Sequence, residues 1–203
     1  MTGADEARFD LTRVEGGDAR DGRWVVLKFG GSSVATRGNW QLIEQRLVRL
    51  RSVGLGVVVV HSARRGVSDA IERALALAAD NDAGEADVVA EIEATHRALA
   101  GDFGLDMDGL LAEHLQTLRQ LLAGVRLVRE LTPRVIARAM ALGELMATTL
   151  STAWLESRGH AVQWHDARTL LESDPEARER RAFLNASSSV APDLASVSYT
   201  HLT

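Results

Sequence analysis

Trp24-Val-Val-Leu-Lys-Phe-Gly-Gly-Ser-Ser-Val34 (WVVLKFGGSSV) runs an apolar segment into a glycine pair, with a lysine at the joint. Lys28 is the only lysine among the 23 lysine and arginine residues of the 203-residue chain. Val25 to Lys28 reads as a buried strand entering a Gly-rich turn. Asn39 is placed to cap a helix whose Trp40, Ile43, Leu47 and Leu50 recur at helical spacing and would face a sheet. Val53-Gly-Leu-Gly56 breaks that pattern, and four valines, Val57 to Val60, follow without polar alternation. Such a run predicts a central parallel strand buried on both faces. Strand, helix, strand is a βαβ unit, so the fold class is α/β.

Outward from this unit, Ser62-Ala-Arg-Arg-Gly-Val-Ser68 is a second turn, leading to a helix capped by Ser68 and running to about Ala79. Glu85 to Ala100 and Asp108 to Ala123 are predicted helices with no strand between them, an insertion packed beside the sheet. Thr132-Pro133 is a helix start. That helix is expected to break or kink at Gly143, resume at Glu144 and end at Gly159. Ala161 to His165 alternates as a strand, with Arg168 to Leu171 just after it. Ser173 to Arg181 reads as a charged surface loop or short helix. Residues 1–22 read as a disordered leader, 23–195 as one domain, and 196–203 as an atypical tail.

Composition narrows the function classes. With 46 % hydrophobic and 25 % charged residues, the chain is of ordinary soluble-globular type. A net charge of -5, with no basic block longer than Arg64-Arg65 or Arg180-Arg181, argues against a nucleic-acid partner. The absence of cysteine excludes a disulfide scaffold, thiol catalysis and Cys-ligated zinc, and fits a cytoplasmic location. No apolar run approaches the ~20 residues of a membrane helix, and the N-terminus lacks a signal-peptide core. His61, His96, His114, His160, His165 and His201 show no HxxxH or HxH spacing, which speaks against zinc.

In an open parallel sheet, ligands bind at the carboxyl ends of strands. Both turns fall there. Gly30 and Gly31 let backbone N–H groups approach an anion, a following helix N-terminus favours negative charge, and Ser32 and Ser33 add hydroxyl donors. Lys28 would bring a compact three-donor ammonium to the same space. These features outline a phosphate site; a strand-end lysine reaching solvent beside a glycine turn is the alternative. There is no GxxxxGK[ST] and no GxGxxG preceding a helix, so neither a P-loop nor a dinucleotide fingerprint is present. For Glu144 the alternative is an ordinary carboxylate at a helix start, and for Ser62 a plain turn residue. For Arg64 and Arg65 a solvated pair is preferred to phosphate contact, and for His61 a hydrogen-bonded structural histidine.

VLKFGGSSV (residues 26–34) resembles the opening signature of aspartate kinases, in the amino acid kinase superfamily. VVVVHSARRGVSD (57–69), ALGELMATTLSTAWLESRG (141–159) and AVQWHDAR (161–168) are similar, in order, to the next three segments of that family. The resemblance implies a three-layer αβα amino acid kinase-like fold with a mainly parallel central sheet, truncated here. It implies transfer of the ATP γ-phosphoryl group to the β-carboxylate of L-aspartate, with Mg²⁺ entering as MgATP and identical subunits assembling at full length. By the same resemblance, Lys28 is the catalytic cation between the γ-phosphate and the attacking carboxylate. Gly30, Gly31 and Ser32 surround the phosphates, Ser62 holds the substrate carboxylate region, and Glu144 binds the α-ammonium.

Two later family segments, a Gly-Arg-Gly-Gly-Ser-Asp-like stretch and a Thr-Asp-Val-x-Gly-like stretch, have no counterpart. The chain is therefore expected to be the N-terminal part of an aspartate kinase domain, inactive alone. Trp24 and Asn39-Trp-Gln-Leu-Ile43 resemble bifunctional chains joining aspartate kinase to diaminopimelate decarboxylase. The competing readings are an acetylglutamate or glutamate kinase-like enzyme, and an inactive fragment serving as a binding or regulatory module.

Overall fold

The structure, a computed structural model, describes residues 23–173, 188–190 and 199–202. The predicted leader and most of the charged segment after Ser173 lie outside the described residues. Strand β1 (Trp24–Phe29), helix α1 (Arg37–Ser52) and strand β2 (Gly56–His61) open the chain. Helices α2 (Val67–Asp80), α3 (Glu85–Phe103), α4 (Met107–Val128) and α5 (Pro133–Ser157) follow. Then come β3 (Gln163–His165), α6 (Ala167–Leu170), β4 (Leu171–Ser173), β5 (Ser188–Val190) and β6 (Tyr199–Leu202).

The main sheet has the order β1-β2-β6-β3 with every pair parallel, in line with an α/β fold. A separate antiparallel pair joins β4 to β5. In β1 and β2 the register runs from Trp24 opposite Gly56 to Phe29 opposite His61. Gly56 is small for a reason, since a Cβ there would stand 2.6 Å from the Trp24 ring. Tyr199–Leu202, within the tail that sequence reading found atypical, supplies the strand between β2 and β3.

The four-valine run does not behave as a strand buried on both faces. Val57, Val59 and His61 are buried, whereas Val58 and Val60 are half-buried. β1 continues the alternation: Leu27 is buried, but Val26 is 64 % exposed. The covered face meets α1 and α5, because the His61 ring packs edge-on against Trp40, which in turn packs against Trp154. Lys28 and Val60, a register pair, lie on the opposite, more open face.

The capping residues also differ from expectation. Thr36, not Asn39, caps α1: its hydroxyl accepts the Asn39 N–H at 3.2 Å. The expected apolar stripe is present, with Trp40, Ile43, Leu47 and Leu50 all buried. α2 begins after Gly66 at φ 84°, so Ser68 sits inside the first turn and no side chain caps that helix. α3 and α4 form the predicted pair, but they pack chiefly on α2 and α5 and not beside the sheet. Ala70, Ala74 and Ala78 are buried on α2, and such small side chains let helices approach closely.

α5 runs unbroken for 25 residues. The helix runs through Gly143 without the expected break, and Glu144 is mid-helix, not at a helix start. Gly143 serves packing instead: a Cβ there would stand 3.1 Å from Ala63 Cβ and 3.3 Å from both Ile71 Cδ1 and Val67 Cγ1. Gly143→Val is therefore expected to destabilise by about 1–3 kcal/mol through overpacking. Gly124→Ala in α4, where a Cβ meets nothing within 4 Å, should stabilise by about 0.5–1 kcal/mol. Urea midpoints of the two variants, moving in opposite directions, check both.

Candidate active site

The two predicted turns lie against one another at the carboxyl ends of β1 and β2. Ser62 N–H donates to the Phe29 carbonyl at 3.2 Å, and Arg65 N–H donates to the Gly31 carbonyl at 3.3 Å. Within the first turn, Ser33 N–H donates to the Gly30 carbonyl at 2.9 Å, while Asn39 Nδ2 donates to the Ser32 carbonyl at 2.9 Å. Asn39, read from sequence as a cap, thus braces the glycine turn from the first turn of α1.

The two glycines answer different needs. A Cβ on Gly30 would meet nothing within 4 Å, so its backbone is open to an approaching group. A Cβ on Gly31 would lie 2.5 Å from the Ala63 carbonyl oxygen, so this glycine is required for the turns to touch. A cleft of ≈ 360 Å³ lined by Phe29, Ser32, Ser33, Asn39, Leu42 and Ile43 opens beside the first turn. Thr36 caps α1, whereas no side chain caps the start of α2, where the Val67 N–H donates instead to the Arg64 carbonyl at 3.0 Å.

Lys28 is exposed at the end of β1, on the open face of the sheet. Ser62 is half-buried at the start of the second turn. Glu144 reaches that turn from α5, its Oε1 accepting the Ala63 N–H at 3.5 Å, with Gly143 packed on Ala63 beside it. Gly30, Gly31, Ser62 and Glu144 are therefore gathered around one pair of turns. Lys28 joins them from the other side of the strand end, one residue before the carbonyl that Ser62 binds.

His61 is 2 % exposed and fully engaged, as a structural histidine should be. Nδ1–H donates to the Ser62 carbonyl at 3.0 Å and Nε2 lies 3.0 Å from Ser151 Oγ. Burial pushes its pKa down to about 4, against the opposing pull of the Ser62 carbonyl. This histidine ties the second turn to α5, the helix that carries Glu144. A further link escaped sequence reading: Trp164 Nε1–H donates to Thr148 Oγ1 at 3.0 Å, and Thr148 Oγ1 donates to the Glu144 carbonyl at 2.9 Å. Thr148 is one helical turn beyond Glu144, and that spacing was the only available signal.

Arg64 and Arg65 part company. Arg65 is exposed at the turn's tip. Arg64 is half-buried, donating through Nη2 to the Ala35 carbonyl at 2.8 Å and through Nη1 to the Thr95 carbonyl. The solvated pair expected from sequence is replaced, for Arg64, by a bridge between backbone segments.

No helix among the described residues is long and apolar enough to cross a membrane. Residues 23–189 match the model of the amino acid kinase family. Aspartokinase 3, chloroplastic, of Arabidopsis thaliana is 33 % identical over 154 residues, covering 70 % of this chain and 25 % of that protein. Aspartokinase 2, chloroplastic, of the same plant is 28 % identical over 145 residues, covering 70 % of this chain and 26 % of its own length. The chain thus spans about a quarter of the curated relatives it matches. In fold it resembles E. coli aspartokinase III solved with aspartate and ADP, at TM-score 0.66, 21 % identity, and coverage of 89 % of this chain and 40 % of that one. The same enzyme solved with lysine and aspartate gives TM-score 0.64 at 20 % identity, over the same shares of the two chains. With the parallel sheet, the paired turns at its carboxyl edge and a family match over most of the described residues, the chain belongs to the amino acid kinase family.

Proposed function

We propose that these residues form the glycine-turn side of an aspartate kinase site, which transfers the γ-phosphoryl group of ATP to the β-carboxylate of L-aspartate. The observation that carries this reading is the contact of the two turns. Gly30, Gly31, Ser62 and the Glu144 carboxylate lie about these two turns, and Lys28 stands at the end of β1 beside them, which supports the reading. The curated aspartokinase relatives, and the fold shared with an aspartokinase solved with aspartate and ADP, support the choice of substrate and nucleotide.

Phosphoryl transfer asks little covalent work of a protein; it needs in-line positioning and neutralisation of charge on the equatorial oxygens. The open backbone at Gly30 and the amides of Gly31 and Ser32 receive phosphate oxygens. The Lys28 ammonium lies between donor and acceptor oxyanions. Ser62 orients the acceptor carboxylate and Glu144 receives the α-ammonium of aspartate. A β-carboxylate is already ionised at neutral pH, so no general base is needed. Mg²⁺ would enter as MgATP, held largely through phosphate oxygens and water. Assembly of identical subunits and a cytoplasmic location belong to the same reading.

The test is a hydroxamate assay on the protein at its full natural length with aspartate, glutamate and N-acetylglutamate as acceptors. Turnover with aspartate at least about 100-fold above the others, in kcat/KM, is expected. Preference for another acceptor, or nucleotide binding without transfer to any of them, would refute the assignment.

A further inference from the structure

We infer that Arg64 is a positioning residue that sets the distance between the two turns and does not itself bind phosphate. Both Nη groups of its guanidinium are committed elsewhere, and its Nε is buried without a hydrogen-bond partner among the described residues. One Nη donates to the carbonyl of Ala35, between the glycine turn and the Thr36 cap of α1; the other donates to the carbonyl of Thr95 in α3. A single planar group thereby joins the second turn, the exit of the first turn, and a helix packed on neither strand. Just beyond Ala35, Arg37 Nη1 donates to the Asp102 carbonyl at 2.9 Å, a second tie between the start of α1 and α3.

The backbone alone holds the turns loosely. Its two bonds between them, 3.2 and 3.3 Å, lie at or beyond the long end of the usual N–H···O range. On one side their separation has a hard limit, the Gly31 backbone against the Ala63 carbonyl. Bonds of that length resist only weakly the opposite movement, in which the glycine turn drifts away from Ser62. Arg64 supplies that restraint, and it does so from behind the site, leaving Gly30 open. Behind it His96 is fully buried, with Nδ1–H donating to the Ile92 carbonyl at 2.8 Å. Lysine could not replace the fork, because one ammonium on a flexible stem does not span two carbonyls in fixed directions. Displacing a reacting group by about 1 Å can cost on the order of 100-fold in rate, so the restraint bears on catalysis. This inference rests on the phosphoryl-transfer reading, and its test separates the two.

Arg64→Lys and Arg64→Met are compared with the parent by amide hydrogen exchange. Segments 29–36 and 62–67 should exchange about tenfold faster in both variants, while 111–122 in α4 stays unchanged. Unchanged exchange in the turns, or equal acceleration everywhere, would overturn the inference. In the protein at its full natural length, kcat should fall about 10- to 100-fold with KM for aspartate within about twofold. A raised KM for ATP with unaltered exchange would make Arg64 a phosphate ligand and refute the positioning role; faster exchange with unaltered kcat would refute it too. A parent protein that transfers no phosphoryl group would refute the functional reading, while the exchange result still decides whether Arg64 restrains the turns.

Discussion

Lys28→Ala is expected to lower kcat by about 10²- to 10³-fold in the protein at its full natural length, the range seen when one preorganised charge-stabilising donor is removed. Folding stability should move by less than about 0.5 kcal/mol, because the side chain is exposed at the end of β1 and fills no part of the core. Lys28→Arg is the sharper variant. It keeps the charge but replaces a compact ammonium by a broad planar fork, beside a turn whose Gly31 already touches Ala63. Arginine is the basic residue used everywhere else in this chain, so ready tolerance of it here would remove the main reason for assigning Lys28 to the moving phosphoryl group. Steady-state kinetics beside a thermal melt read both quantities. A Lys28→Ala protein with parental kcat would dispose of the catalytic role.

Acidification from pH 7.5 to pH 5 should destabilise the fold by about 2 kcal/mol for each of His61 and His96. Both rings are buried, which pushes each pKa from 6.5 to about 4. At His61 the Ser62 carbonyl opposes that shift; at His96 the Ile92 carbonyl opposes it and the charge of Arg64 adds to it. The sign follows from proton counting. Between about pH 6.5 and 4 the unfolded chain binds protons that the folded chain refuses, so stability is complete above 6.5 and is lost as pH falls toward 4. Asp166 and Asp108 have their pKa values lowered by Arg168 and Arg97, so their contributions are lost only below the ordinary carboxylate range. Denaturant titrations at pH 7.5, 6 and 5 would show the slope, and a His61→Gln, His96→Gln double variant should flatten it. Equal stability of the parent at pH 7.5 and pH 5 would contradict the buried neutral rings.

Much of this molecule is legible in local pattern. Continuous apolar runs and an apolar stripe at helical spacing, separated by glycines, mark β1, α1 and β2, and the buried Trp40, Ile43, Leu47 and Leu50 follow from the helical spacing alone. Thr132-Pro133 announces α5 because capping and proline chemistry act within one turn. The lysine-glycine joint and the second turn stand where a parallel sheet places ligands, again a local matter.

What local pattern misread depends on neighbours distant in sequence. Gly143 looks like a helix breaker, since intrinsic propensity is all that a single position displays; the side chains of Ala63, Val67 and Ile71 make it a contact point inside a continuous helix. The valines of β2 carry no mark of which face is covered, and only the placement of Trp40 and Ser151 decides it. Arg64 and Arg65 are chemically identical neighbours, yet one bridges Ala35 to Thr95 and the other faces solvent, a difference set by where α3 lies. The sequence by itself determined the α/β class, the two turns and the lone lysine, because each rests on short-range stereochemistry. Only the tertiary structure decided how the turns touch, what holds them apart from collapse or drift, and which arginine does so, because those are contacts between segments that no spacing along the chain encodes.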